Sequence, residues 1–148
     1  MITPTPQRMH QKIVLKVVAK FFIPFILLFG LYVQFHGDFG PGGGFQAGVI
    51  FAAAFILHGI IFGLEAIKKA VTPRSVEIGA ALGVLLYAAV GVYSLVVGGN
   101  FLDYDLLNPA HPTHGQHLGI LLVELGVGIT VFSTMTLLFY AFAGRPRA

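Results

Sequence analysis

Four long apolar runs leave this chain little choice of fold. They cover Ile13–Phe35, Phe45–Ala66, Val76–Gly98 and His117–Phe142. Crossing the hydrocarbon of a bilayer takes roughly 20 mainly apolar residues. Only 10% of the 148 residues are charged, against about 25% in a soluble domain, so most of the surface has no polar groups to offer water. The expectation is an all-α integral membrane protein with four transmembrane helices, forming a single membrane domain over residues 1–148. No cleavable signal peptide is expected, because the first run is too long and no small-x-small site closes it. The absence of cysteine excludes a disulfide framework and thiolate chemistry.

The charges set the orientation. All nine basic residues fall on one side: Arg8, Lys12, Lys16 and Lys20, then Lys68, Lys69 and Arg74, then Arg145 and Arg147. The loops on the other side hold Asp38, Asp103 and Asp105. By the positive-inside rule both termini and the middle loop are cytoplasmic. The pI near 9.4 therefore points to anionic lipid and not to nucleic acid. Arg8, Lys12, Lys16 and Lys20 form a slowly drifting helical stripe suited to snorkelling, with Lys20 deepest. Pro24 is expected to kink the first span.

Between the first two spans lies His36-Gly37-Asp38-Phe39-Gly40-Pro41-Gly42-Gly43-Gly44-Phe45-Gln46-Ala47-Gly48, with five glycines and one proline in residues 37–44. Glycine reaches backbone conformations closed to other residues, and proline fixes φ. Non-helical backbone at membrane depth persists only where protein or a wet cavity covers it. The turn therefore predicts shaped, buried backbone, with a partner chain expected against it. GxxxG spacing recurs at Gly44/Gly48, Gly59/Gly63 and Gly79/Gly83, and Gly119, Gly126, Thr130 and Ser133 make a stripe in the last span. Such small residues favour helix–helix contact.

Two ionisable groups lie inside the spans. Glu124 is about 10–12 Å into the fourth from the outer side, at 1.5 Å per residue, and His58 is in the inner half of the second. Such groups mark ion or proton paths unless they are hydrogen-bonded packing groups. The outer loops add His36, Asp38, Asp103, Asp105, His111, His114 and His117. They could form an acidic, titratable vestibule that concentrates cations. The last three resemble metal ligands in spacing, but the residue before Pro112 avoids the α region, so the triplet does not present one helix face. No metal site and no cofactor is expected. Tyr104 suits a headgroup-level anchor.

With four spans, PGGGF at 41–45, the following Gln46-Ala47-Gly48 and the run Glu124-Leu125-Gly126-Val127-Gly128, the chain resembles the small B subunit of multisubunit Mrp-type (Mnh-type) sodium/proton antiporters. The resemblance runs from about Lys16 to Tyr140. It implies a multi-pass subunit of a bacterial inner-membrane complex that exchanges cytoplasmic Na+ for external H+, a secondary active transporter and not an enzyme. The implied partners are large antiporter-like subunits A and D and small subunits C, E, F and G, besides membrane lipid. By position the motif residues are Pro41, Gly42, Gly43, Gly44 and Phe45, with Glu124, Gly126 and Val127.

Every lysine lies at the cytoplasmic end and Glu124 is the one carboxylate well inside a span, so this chain is not expected to pump alone. Glu124, His58, His36 and Asp38 are the candidate ion or proton path. Pro41, Gly42, Gly43, Gly44, Phe45, Gly48, Gly126 and Val127 are the candidate subunit contact or gate, with Phe45 plugging an entrance. An alternative is the homologous subunit of a membrane-bound hydrogenase or complex I-related ion pump. A more distant one is a metal-binding membrane protein using His111, His114 and His117.

Overall fold

Each apolar run is helical, because backbone polar groups away from water must be satisfied within their own segment. The computed structural model describes residues 6–37 and 40–145. Five α-helices follow one another: α1 Pro6–His36, α2 Gly44–Phe62, α3 Leu64–Ala70, α4 Pro73–Val96 and α5 Pro112–Ala143. A single 3₁₀ turn, Tyr104–Leu107, stands between α4 and α5. Ile13–His36, α2, α4 and α5 are each long and apolar enough to cross a membrane. α1 continues through Pro24.

Two of the differences from the expected spans have a clear local cause. The second apolar run is broken at Gly63, whose φ of 99° and ψ of 160° belong to a region open to glycine almost alone. No atom lies within 4 Å of where its Cβ would be, so backbone conformation and not crowding accounts for glycine there. α3 then starts as a separate helix carrying Lys68 and Lys69. The last helix starts at Pro112, five residues before the expected His117, because proline at a first helical position sacrifices no intrahelical bond. α4 starts cleanly too: Thr72 Oγ1 accepts from the Ser75 N–H at 3.2 Å, with Pro73 following it.

In space the order is α1, α2, α5, α4, so α5 is held between α2 and α4 while α1 packs chiefly on α2. The α4–α5 seam is made of small residues. A methyl group added at Gly83 would lie 2.6 Å from the Gly126 carbonyl oxygen, and one at Gly79 would lie 2.6 Å from Ser133 Oγ. Thr130 Oγ1 donates to the Gly126 carbonyl at 2.8 Å, so a hydroxyl can be buried here without an interhelical partner. The stripe of Gly119, Gly126, Thr130 and Ser133 is thus an intramolecular seam, with Gly119 seated under the Tyr104 ring.

Side-chain packing closes one end of the bundle. Ile67, Val76 and Tyr140 form a buried cluster, and Tyr140 Oη donates to the Val71 carbonyl at 2.6 Å. This bond ties α5 to the segment joining α3 and α4. Lys68 pairs with Glu65 at 3.2 Å on the surface, and Lys20 Nζ stands 5.8 Å over the Phe62 ring. At the opposite end Phe101 packs on Gly91 and Gln116 Nε2 donates to Asp105 Oδ1 at 2.8 Å. Tyr104 is half-buried, its ring packed on Gly119. Burial raises its phenol pKa, and Tyr87 nearby raises it further.

Candidate functional site: a carboxylate cradled by glycines

The glycine turn folds back on its own chain. Gly43 has φ 107°, a conformation that side chains disfavour. In this pose its N–H reaches the Val33 carbonyl at 3.1 Å, closing the end of α1. A methyl group on Gly42 would crowd that same oxygen at 2.8 Å. The turn thereby brings three missing side chains against one residue of α5. A methyl at Gly37 would overlap the Glu124 carboxylate, one at Gly43 would lie 2.7 Å from its Oε1, and one at Gly44 would overlap the Glu124 carbonyl oxygen. One turn further along α2, a methyl at Gly48 would lie 2.7 Å from the Gly128 carbonyl oxygen.

The sequence-level expectation that the turn reserves its close approach for a partner chain is corrected at these positions. Gly43, Gly44 and Gly48 are buried within the chain against α5, and Gly126 is buried against α4. Among the described residues of the turn, Gly40, Pro41, Phe45 and Gln46 are exposed. Phe45 is 60% exposed and lines none of the cavities described below. Val127 is half-buried.

Glu124 also faces a cavity of about 440 Å³ lined by Gln34, Phe35, His114, His117, Leu118 and Leu121. His114, His117, Leu121 and Glu124 follow helical spacing, so α5 presents two imidazoles and a carboxylate to one space. Two of the three loop histidines thus do share a helix face. His111 does not belong to that face: it stands at the N-cap with φ −140°, its ring tilted against that of His114 at 5.5 Å. Among the described residues no three His, Asp or Glu side chains converge as a metal site.

The other candidates are dispersed. His58 lies on α2 beside a small cavity of about 90 Å³ with Ile23, Leu27 and Ala70, its ring 4.7 Å from that of Phe62. His36 stacks on Tyr32 at 5.0 Å along the outward face of α1, outside the Glu124 cavity. Asp38 lies outside the described residues. Asp103 and Asp105 belong to the 3₁₀ loop. Its closure uses both of them: the Asp103 carbonyl accepts from Ser94 Oγ at 3.1 Å, and Asp105 accepts from Gln116.

A residue not singled out in the sequence joins these spaces. Gln34, on α1, is 5% exposed and borders both the Glu124 cavity and an apolar chamber of about 340 Å³ lined by Phe51, Phe55, Leu125 and Phe132. Phe55 also borders the small cavity beside His58. The available signal was a lone amide at the end of an apolar run, masked by the louder turn that begins two residues later.

Fold and site together define a multi-pass membrane protein with an intramembrane carboxylate set in a glycine cradle. Its sequence matches, over residues 14–137, the family described as a domain related to the MnhB subunit of Na+/H+ antiporters. It is 34% identical over 133 residues to a Staphylococcus epidermidis protein provisionally named antiporter subunit mnhB2, covering 84% of this chain and 94% of the relative. Proteins of the same provisional name in Staphylococcus aureus strains are 32% identical over the same shares. The chain belongs to the MnhB family.

Proposed function

We propose that this chain is the small B-type subunit of a multisubunit Na+/H+ antiporter, exchanging cytoplasmic Na+ for external H+, and that it supplies part of the ion or proton path. The observation that carries the reading is the Glu124 carboxylate, cradled by Gly37 and Gly43 and facing a cavity with His114 and His117. Carboxylates and imidazoles inside a membrane protein are suited to proton relay. The one-sided excess of lysine and arginine supports an outer glycine-turn end and cytoplasmic termini, and the proposed setting is a bacterial inner membrane. Protons then enter past His114 and His117 and meet Glu124. His58 lies toward the cytoplasmic end on the same α1–α2 side.

One carboxylate and four spans do not make an alternating-access machine, so the large antiporter-like subunits carry the exchange and this chain serves them. α1 offers the contact surface: Phe21, Phe22, Phe25, Phe29 and Phe35 are all exposed along it. Pro41 and Phe45 extend that surface at the turn.

The deciding experiment is Glu124→Gln in the intact complex. The amide keeps the shape of the side chain and removes its charge. Antiport is expected to be abolished while the complex still assembles in normal amount. Normal antiport in the variant would refute the conduction role.

A further inference from the structure

Gln34 is buried, yet its Nε2 donor meets no acceptor among the described residues. Room for this amide is built in: a methyl group on Gly128 of α5 would lie 2.9 Å from Gln34 Oε1. The side chain stands where the Glu124 cavity meets the apolar chamber. A buried N–H without a partner is disfavoured, and a polar, roomy site recruits water to satisfy it. The adjoining space of about 440 Å³, with Glu124, His114 and His117 in its lining, has both the room and the polar groups.

We propose that Gln34 binds a water molecule at the junction of the two cavities, with Nε2–H donating to the water oxygen. Held so, the water keeps both of its hydrogens for donation toward the cavity that Glu124, His114 and His117 line. A sodium ion shorn of water needs several oxygen lone pairs around it. The chamber beyond the junction, lined by Phe51, Phe55, Leu125 and Phe132, offers a dehydrated cation no side-chain oxygen but that of Gln34. The site therefore takes water and can pass a proton toward Glu124, while the apolar chamber beyond it is closed to a dehydrated cation. Gln34 is a positioning residue here, acting through the water it holds. The water site stands on the geometry alone, whereas its part in proton traffic rests on the proposed role of Glu124.

Radiolytic hydroxyl labelling of the whole complex, purified through a tag on this chain and read by mass spectrometry, detects bound water beside a side chain. Phe51 and Leu125, which line the chamber beyond Gln34, are expected to be labelled in the native complex. Gln34→Met, similar in size but without a donor, is expected to lose that label, while Gln34→Glu, which still hydrogen-bonds water, retains it. Antiport in Gln34→Met should fall roughly tenfold, the loss expected from one missing hydrogen bond. Unlabelled Phe51 and Leu125 in the native complex would overturn the water site, whether the amide is dry or is met by a neighbouring chain. So would a Gln34→Met complex labelled like the native one. Should Gln34→Met fail to assemble, the native label decides alone. Glu124→Gln with normal antiport and unchanged labelling would remove the proton-path reading and leave the water site standing.

Discussion

α5 has two faces built on opposite plans. Toward α4 it presents Gly126, Thr130 and Ser133, and the helices approach until carbonyl oxygens and hydroxyls nearly touch the facing glycines. None of these three residues lines a described cavity. Toward α1 and α2 it presents Glu124, Leu125, Gly128 and Phe132 beside two cavities. Glycine is used on both faces, for different ends. At Gly83 and Gly126 it removes bulk so that two helices close on each other. At Gly37 and Gly43 it removes bulk so that backbone closes on a carboxylate while the space beside it stays open. Small residues drive association in lipid because close packing replaces the missing hydrophobic force. Where polar groups must remain reachable, the same chain stops short of full packing.

The contrast can be broken from either side. The largest effect is expected from Gly44→Ala, whose methyl would collide with the backbone oxygen of Glu124. Overpacking of this kind costs about 3 kcal/mol, and the displacement of α5 should also abolish antiport. Thermal unfolding of the purified complex and transport in everted vesicles measure the two losses, and full activity would mean that the cradle is dispensable. Gly83→Ala strikes the sealed face. It should cost about 2 kcal/mol, and the molecules that still assemble should transport at the native rate per complex. A transport defect per complex would show that the seam and the cradle are not separable. The smallest effect belongs to Thr130→Val, which replaces a hydroxyl that, among the described residues, bonds within its own helix. About 0.5 kcal/mol is expected, and a larger shift in unfolding temperature would mean that Thr130 bonds across the seam as well.

Much of the fold could be read from local pattern. Length and apolarity announce four spans, because every backbone group in lipid must be paired within its helix. Gly37, Gly40, Gly42, Gly43 and Gly44 announced a special turn, and Glu124 stood out as an ionisable residue in an apolar run. The break at Gly63 was less legible. In sequence Gly59 and Gly63 share the GxxxG spacing, yet Gly59 is crowded by Phe139 at 2.7 Å while Gly63 has nothing around it and ends the helix. Periodicity cannot separate a glycine chosen for space from one chosen for φ. The histidines were half legible for a related reason. Pro112 does exclude His111 from the helix, but it also starts that helix early and so places His114 and His117 on the face of Glu124.

By itself the sequence determined that this chain spans a membrane, where it turns, and which family it joins, since hydropathy, turn chemistry and motif order are properties of neighbours along the chain. The tertiary structure alone decided that the glycine turn closes on Glu124 of its own α5, and that Gln34 stands between two cavities. Those contacts join residues some eighty to ninety positions apart. They depend on α5 lying between α2 and α4, a spatial order that is set by which small-residue faces fit most closely.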